Sequence, residues 1–317
     1  MSLPKVSSNP HIRSAATTQL IMLTVILALM PAFGYGIYNF GIRALFVCIV
    51  CVVTAVLSEV VFALITKKKI RVDDLSACVT GLLLTLNLPV SIPLWQAALG
   101  SVFAIIVVKE LFGGLGKNFM NPALGARCFL LISFPVAMTN FDTDCFTGAT
   151  PLALLKAGEA VNVKNMILGS IPGTIGETSM IAILIGAIIM LLCGVIDLKI
   201  PASYILTFVV FLILFGGRGF DPAFIAAHLA GGGLMLGAFF MATDYVTRPT
   251  SAKGQIIFGI FLGSLPVFSG SSDLRPKVFP MRSFSETALC LLSINSRFPF
   301  RLESILPSSG KEGRSDE

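Results

Sequence analysis

The chain has 317 residues, of which 55% are hydrophobic and only 13% charged, and its mean hydropathy is +0.88. Soluble domains carry about 25% charged residues, so this composition excludes a water-soluble globular protein and points to an all-α polytopic membrane protein. The net charge of +6 falls mostly in loops and in the tail, where membrane topology puts cations, and does not indicate nucleic acid.

At about 20 residues per crossing plus loops, the length allows about nine to ten transmembrane helices. Residues 1–19 are polar, with Lys5, His11 and Arg13, and read as a cytoplasmic N-terminal segment. The first apolar run, 20–37, is long enough to span, so it is not the short core of a cleavable signal. The second run, 45–65, ends at Lys67-Lys68-Lys69-Ile70-Arg71. That basic cluster places its loop, and hence the N-terminus, in the cytoplasm.

The third run, 75–88, is short and stops at Asn87-Leu88-Pro89-Val90-Ser91-Ile92-Pro93, where two prolines and an asparagine break a helix. Residues 94–111 return to the inside and meet Phe112-Gly113-Gly114-Leu115-Gly116-Lys117-Asn118. Asn121-Pro122-Ala123 then opens a short span that ends near residue 137. Counting crossings puts the loop 139–178 on the outer face. Its later part, 169–176, is rich in glycine and proline and reads as irregular.

The outer loop carries Asp144-Cys145-Phe146-Thr147-Gly148-Ala149-Thr150, followed by Pro151. Thr150-Pro151 reads as a helix start, with threonine at the N-cap and proline at the first helical position. Free N–H groups and the positive end of the helix dipole favour an anion there. Gly148 and Ala149 have almost no side chain, which lets the segment enter another enzyme's cleft. For Thr150-Pro151 alone, a plain capping role is the simpler reading. The whole string, however, resembles the acceptor motif of bacterial flavin transferases, which esterify FMN through its phosphate to the final threonine. By that resemblance Thr150 is the FMN-bearing residue, and Asp144, Thr147, Gly148 and Ala149 form the recognition motif.

Residues 179–196 go back in, Asp197–Lys199 turns, and 201–215 go out. Leu111-Phe112-Gly113-Gly114-x-Gly and Leu214-Phe215-Gly216-Gly217-x-Gly are the same string, and each precedes an Asn/Asp-Pro-Ala. By the crossing count they lie on opposite faces, the signature of inverted repeats built from interrupted helices. Residues 224–241 form an apolar run carrying His228 and Gly231-Gly232-Gly233, glycines that permit close helix approach. An inner loop with Asp244 and Arg248 follows, and 255–263 begin one more span. The membrane domain is thus 20–263. The remainder, 264–317, is an atypical polar tail with no span-length apolar run; the two readings are a disordered cytoplasmic tail and, preferred, the product of a shifted reading frame.

The seven cysteines do not form a disulfide framework. Cys48, Cys51, Cys78, Cys128 and Cys193 lie in or beside apolar spans, where cysteine acts as a small hydrophobe. Cys48-x-x-Cys51 offers two thiolates on one helix face to an iron–sulfur cluster shared with a partner, but two ligands do not complete a four-ligand site, and plain packing in the Val/Ile run is the simpler reading. No metal ligand set and no catalytic residue is assigned. Ionisable groups near spans are Glu59, Lys109, Glu110, Arg127, His228 and Asp244. Lys109, Glu110 and Arg127 are expected to snorkel at the inner boundary, which leaves Glu59 and His228 as the better functional candidates, with a satisfied structural polar group as the alternative for either and no ion ligand assigned.

Over residues 9–263 the chain resembles the NqrB/RnfD family. The resemblance rests on residues 144–150, on Gly113-Gly114-Leu115-Gly116-Lys117-Asn118 with Asn121-Pro122-Ala123, and on Gly237-Ala238-Phe239-Phe240-Met241-Ala242-Thr243-Asp244. Within the family it is similar to the D subunits of Rnf, a membrane-bound ferredoxin:NAD oxidoreductase, more than to the B subunits of the sodium-pumping NADH:quinone reductase. The resemblance implies a ten-span fold with inverted repeats, a covalent FMN and electron transfer coupled to Na⁺ or H⁺ export. It also implies a non-covalent riboflavin, for which no residue here identifies a site. The implied setting is a bacterial inner (cytoplasmic) membrane, with membrane lipid, the other Rnf subunits and a maturing flavin transferase as partners. Such a chain is a redox subunit and not a complete enzyme alone. The competing readings are a secondary transporter or channel, which broken-helix inverted repeats also suit, and an assembly subunit without chemistry.

Overall fold

A computed structural model describes residues 17–68, 72–118, 120–141, 151, 154, 162–216, 219–231, 233–249 and 251–271, with side chains through 265. Among these residues the fold is all-helical and contains no β-strand. In chain order the helices are α1 (Thr18–Phe40), α2 (Ile42–Ile65), α3 (Ser76–Leu86) and α4 (Leu94–Val102). The last of these continues as a π-helix, Phe103–Glu110. Next come α5 (Pro122–Ser133), α6 (Pro135–Thr139), α7 (Val163–Leu168), α8 (Met180–Leu192) and α9 (Lys199–Phe215). The series ends with α10 (Pro222–Ala230), α11 (Leu234–Leu236), the π-helix Gly237–Met241 and α12 (Ala252–Ser271).

The packing is that of a protein in lipid. On α2 the buried face is Ala44, Val47, Cys48, Cys51, Ala55, Ser58, Glu59 and Ala63, while Phe46, Ile49, Val53, Leu57 and Val61 are exposed. Small residues face the protein and large aliphatic ones face outward, because helices in a bilayer associate by close backbone approach and have no water to exclude. Gly81 of α3 sits against the Val52 backbone, where an added Cβ would come within 2.8 Å of Val52 Cα. Gly186 on α8 lies against the Ala28 carbonyl of α1 in the same way. Gly259 and Gly263 place α12 on the backbone of α9 at Ile200 and Tyr204.

Two helices, Thr18–Phe40 and Ile42–Ile65, are each long and apolar enough to cross a bilayer. A third crossing is available to the pair Pro222–Ala230 and Leu234–Met241, bent by 64° at the glycine break. The sequence suggested one apolar run there. Gly233, at φ +70, ends that continuity, because a left-handed residue cannot continue a helix. α3, α5, α8 and α9 are shorter apolar helices. Helix α12 runs to Ser271, beyond residue 263, where the sequence pattern changes; residues 272–317 lie outside the described residues, as do 1–16.

α1 and α2 are longer than the sequence suggested, since Gly41 alone joins them. Its φ of 74° and ψ of −165° form a region open essentially to glycine. No heavy atom stands within 4 Å of a Cβ built there, so the constraint is purely backbone. Gly41→Ala is expected to lower stability by about 1–3 kcal/mol, read as a fall in the thermal midpoint of the purified protein. An unchanged midpoint would mean that this turn is adopted without strain.

The two breaks that share the Gly-Gly string end alike. Asn121 caps α5 by accepting from Ala123 N at 3.0 Å, and Asp221 caps α10 by accepting from Ala223 N at 3.0 Å. Pro122 and Pro222 each take the first helical position, whose N–H has no partner in a helix. Gly217 and Arg218 of the second string lie outside the described residues.

Candidate functional site

The flavin-acceptor residues Asp144, Thr147, Gly148, Ala149 and Thr150 lie outside the described residues. Their flanks are described. Pro151 and Leu154 are helical, and Pro151 is buried. On the near side α6 ends at Asn140, whose carbonyl accepts from Ser91 Oγ at 2.6 Å. On the far side α7 begins at Asn162, whose side chain accepts from Lys164 N, and ends at Gly169 in the left-handed region. Asn39 Nδ2 donates to Gly169 O at 3.1 Å, and Arg43 donates to Ser91 O at 3.2 Å. These bonds gather both flanks of the loop at the α1–α2 turn. The exposed Lys67 and Lys68 lie at the other end of α2, a helix of 24 residues, so the α1–α2 turn and this basic end are separated by about 36 Å. Lys69, Ile70 and Arg71 of the basic cluster lie outside the described residues.

Near the α1–α2 turn, three interrupted elements meet around one buried ion pair. Arg127 of α5 donates to Asn87 Oδ1 at 2.9 Å and to Glu177 Oε1 at 3.1 Å. Asn87 terminates α3, and its Nδ2 donates to Leu83 O. The segment carrying Glu177 is tied to the same break, since Ile175 N donates to Leu88 O and Gly176 N to Leu86 O. Gly233, at the α10–α11 break, touches the Glu177 carboxylate, so that a Cβ there would overlap Oε1. Arg127, Asn87 and Glu177 are 5%, 0% and 2% exposed. Charges so deeply buried stay ionised only when paired.

A second buried pair lies toward the basic end of α2. Lys109, in the π-helix, places Nζ 2.8 Å from Glu59 Oε1 on α2 and donates to Ser76 Oγ at 2.6 Å. Ser76 Oγ in turn donates to Asp74 Oδ1 at 2.6 Å. Glu59 lines a cavity of about 380 Å³ together with Asp74, Glu110, Lys68, Lys117 and the Gly113-Gly114 turn. π-Helical turns carry one extra residue per hydrogen bond and concentrate at functional sites.

Lys109 and Arg127 therefore do not snorkel. They are 1% and 5% exposed, each held inward by an acid about 50 positions away in the chain. Glu59 is the acidic partner of Lys109. His228 binds its own helix, with Nδ1 3.0 Å from Phe224 O and the ring against Phe224. Asp244 accepts from Thr247 Oγ1 at 3.3 Å in the turn before α12. Cys48 and Cys51 are buried free thiols on one face of α2. Among the described residues no group of three or more His, Cys, Asp or Glu is placed to hold a metal. Sequence reasoning missed Glu177, Asn87, Ser76 and Asp74. For Asn87 the helix-breaking run was a signal; for Glu177 the only signal was a lone acid directly before an apolar span.

The family model described as NQR2, RnfD, RnfE matches residues 5–269. The chain is 49% identical over 267 residues to the D subunit of the Na(+)-translocating ferredoxin:NAD(+) oxidoreductase complex of Acetobacterium woodii, covering 81% of this chain and 82% of that protein. It is 42% identical over 281 residues to the D subunit of the proton-translocating ferredoxin:NAD(+) oxidoreductase complex of Clostridium ljungdahlii, covering 82% and 84%. To the D subunit of the ion-translocating oxidoreductase complex of Rhodobacter capsulatus it is 33% identical over 299 residues, covering 81% and 83%. Lipid-facing aliphatic helices, buried charge pairs at broken helices and these relationships agree: the chain is a membrane protein of the NQR2, RnfD, RnfE family, on the branch of the Rnf complex D subunits.

Proposed function

We propose that this chain is a flavin-carrying subunit of an Rnf-type complex in the bacterial inner membrane, passing electrons between ferredoxin-side and NAD-side redox centres while the complex moves Na⁺ or H⁺. The observation that carries the reading is the Asp144–Thr150 string standing in a chain 49% identical to a D subunit so named. Thr150 holds FMN through a phosphoester on its hydroxyl. A hydroxyl of this kind is a weak nucleophile unaided, so a separate flavin transferase forms the ester, with Asp144, Thr147, Gly148 and Ala149 as its recognition string. The helical conformation of Pro151 is consistent with a phosphate held at a helix N-terminus. FMN accepts two electrons together and releases them singly, which suits a relay between one-electron carriers.

The acceptor loop faces outward and the basic end of α2 faces the cytoplasm. The fold completes nine to ten crossings as two inverted repeats, and the matched caps at Asn121 and Asp221 support that reading. Riboflavin is a second cofactor, at a site that none of these residues defines. The other polypeptides of the complex supply the electron donors and acceptors.

The test is the mass of the peptide containing Thr150, from protein matured in a host with the transferase. The expected result is Thr150 esterified with FMN. A bare Thr150 in that host overturns the reading and favours a transporter, for which the 64° helix break would then be the main functional feature.

A further inference from the structure

The Glu59–Lys109 pair is asymmetric. Lys109 Nζ occupies Glu59 Oε1 at 2.8 Å, whereas Glu59 Oε2 is buried and has no hydrogen-bond partner among the described residues. A buried carboxylate oxygen without a donor is costly. Glu59 also lines the cavity at this end of the protein, with Asp74 and Glu110 adding negative charge to its wall and Lys68 and Lys117 at its rim. The cavity, at about 380 Å³, has room for a hydrated ion.

Lys109 has somewhere else to go. Its ammonium already donates to Ser76 Oγ, which is bonded to Asp74 Oδ1. A small displacement along that chain transfers its charge from one carboxylate toward another. Cys78, also on α3, stands within the field of the same three charges, Glu59, Lys109 and Asp74. The backbone that carries Lys109 is the π-helix Phe103–Glu110, a geometry less regular than an α-helix.

We propose that Lys109 is a tethered cation that competes with a diffusible monovalent cation for the Glu59 carboxylate. A cation in the cavity satisfies Oε2, weakens the hold of Oε1 on the ammonium and shifts Lys109 toward Ser76 and Asp74. Hard cations take oxygen ligands, and one carboxylate oxygen plus retained water suffices. The chemistry is shared by Na⁺ and by a proton on Oε2. The inference rests on the reading that the complex moves such a cation.

The test uses the assembled complex in detergent without ferredoxin or NADH. Lys109 is acetylated with acetic anhydride in choline chloride, in NaCl at the same pH, and in choline chloride at lower pH, and its labelling is normalised to Lys253, which is exposed and does not line the cavity. Release of Lys109 by Na⁺ raises its relative acetylation; a rise only in the low-pH arm assigns the competitor as the proton. Indifference to both overturns the proposal. The Thr150 peptide is read in the same digest, so a failure of the flavin reading is recorded separately. Equilibrium binding of ²²Na⁺ gives a second measure. Lys109→Met removes the competitor and is expected to lower the half-saturating Na⁺ concentration about tenfold, with Lys109→Arg near wild type and Glu59→Gln losing the site. Weaker binding in Lys109→Met would make Lys109 a mere support for Glu59 and sink the idea; should that variant not assemble, the acetylation of the unaltered complex decides.

Discussion

Arg127→Met is expected to destabilise the protein by about 3–5 kcal/mol, enough to prevent accumulation of the folded chain or to lower its thermal midpoint sharply. The reason is what it leaves behind. Glu177 is 2% exposed and would keep its carboxylate in a low-dielectric interior without the guanidinium now 3.1 Å away. Asn87 Oδ1, itself fully buried, would lose its donor as well. Three interrupted elements converge on these groups, so the damage spreads to the α3 break, the segment before α8 and the contact with Gly233. Arg127→Met/Glu177→Leu removes both charges and is expected to recover most of the loss, because deleting a whole buried pair costs far less than deleting half of it. A double variant no more stable than the single one would show that the arginine acts through packing and not through charge.

On the proposed flavin reading, Thr150→Val is expected to abolish covalent flavin and, with it, ferredoxin:NAD oxidoreductase activity of the complex. Valine keeps the shape of threonine and removes the one oxygen that can form the phosphoester. In-gel flavin fluorescence after denaturation reads the first effect, and turnover of the purified complex reads the second. Asp144→Ala is expected to reduce flavin occupancy without eliminating it, since it removes a recognition group and leaves the acceptor. Normal turnover in a flavin-free Thr150→Val complex would make this chain an assembly subunit whose flavin is dispensable.

Much of the fold was legible because hydrophobic runs and breakers are local. The run 179–196 became α8 at Met180–Leu192, and 201–215 became α9 at Lys199–Phe215. The Asn87–Pro93 break and the helix opening at Asn121-Pro122-Ala123 were legible for the same reason: each is written in residues that act on their own backbone. Gly41 was not legible as a one-residue turn, since only the dihedral angles distinguish it from a glycine within a helix. The π-turn around Lys109 leaves no mark in composition or periodicity. The Arg127–Glu177 pair joins positions 50 apart, and a single sequence carries no signal of such a pairing. Lys109 and Arg127 were therefore expected to reach water, when each had an internal acid instead.

The π-helix has a consequence for how α4 counts its residues. One surplus peptide in a helix is a register waiting to be taken up: excising a single residue between Phe103 and Glu110 would let the segment close into an ordinary α-helix. Residues beyond the excision would keep their rotational register, because a π-turn is how a helix absorbs one inserted residue; the same eight residues wound as a regular α-helix would instead swing the end of the segment and everything beyond it about 100° around the axis. That rotation would carry the 109 side chain off the α2 face and turn a neighbouring position toward Glu59. The aim of one ammonium group is thus set by how a single stretch of backbone is wound.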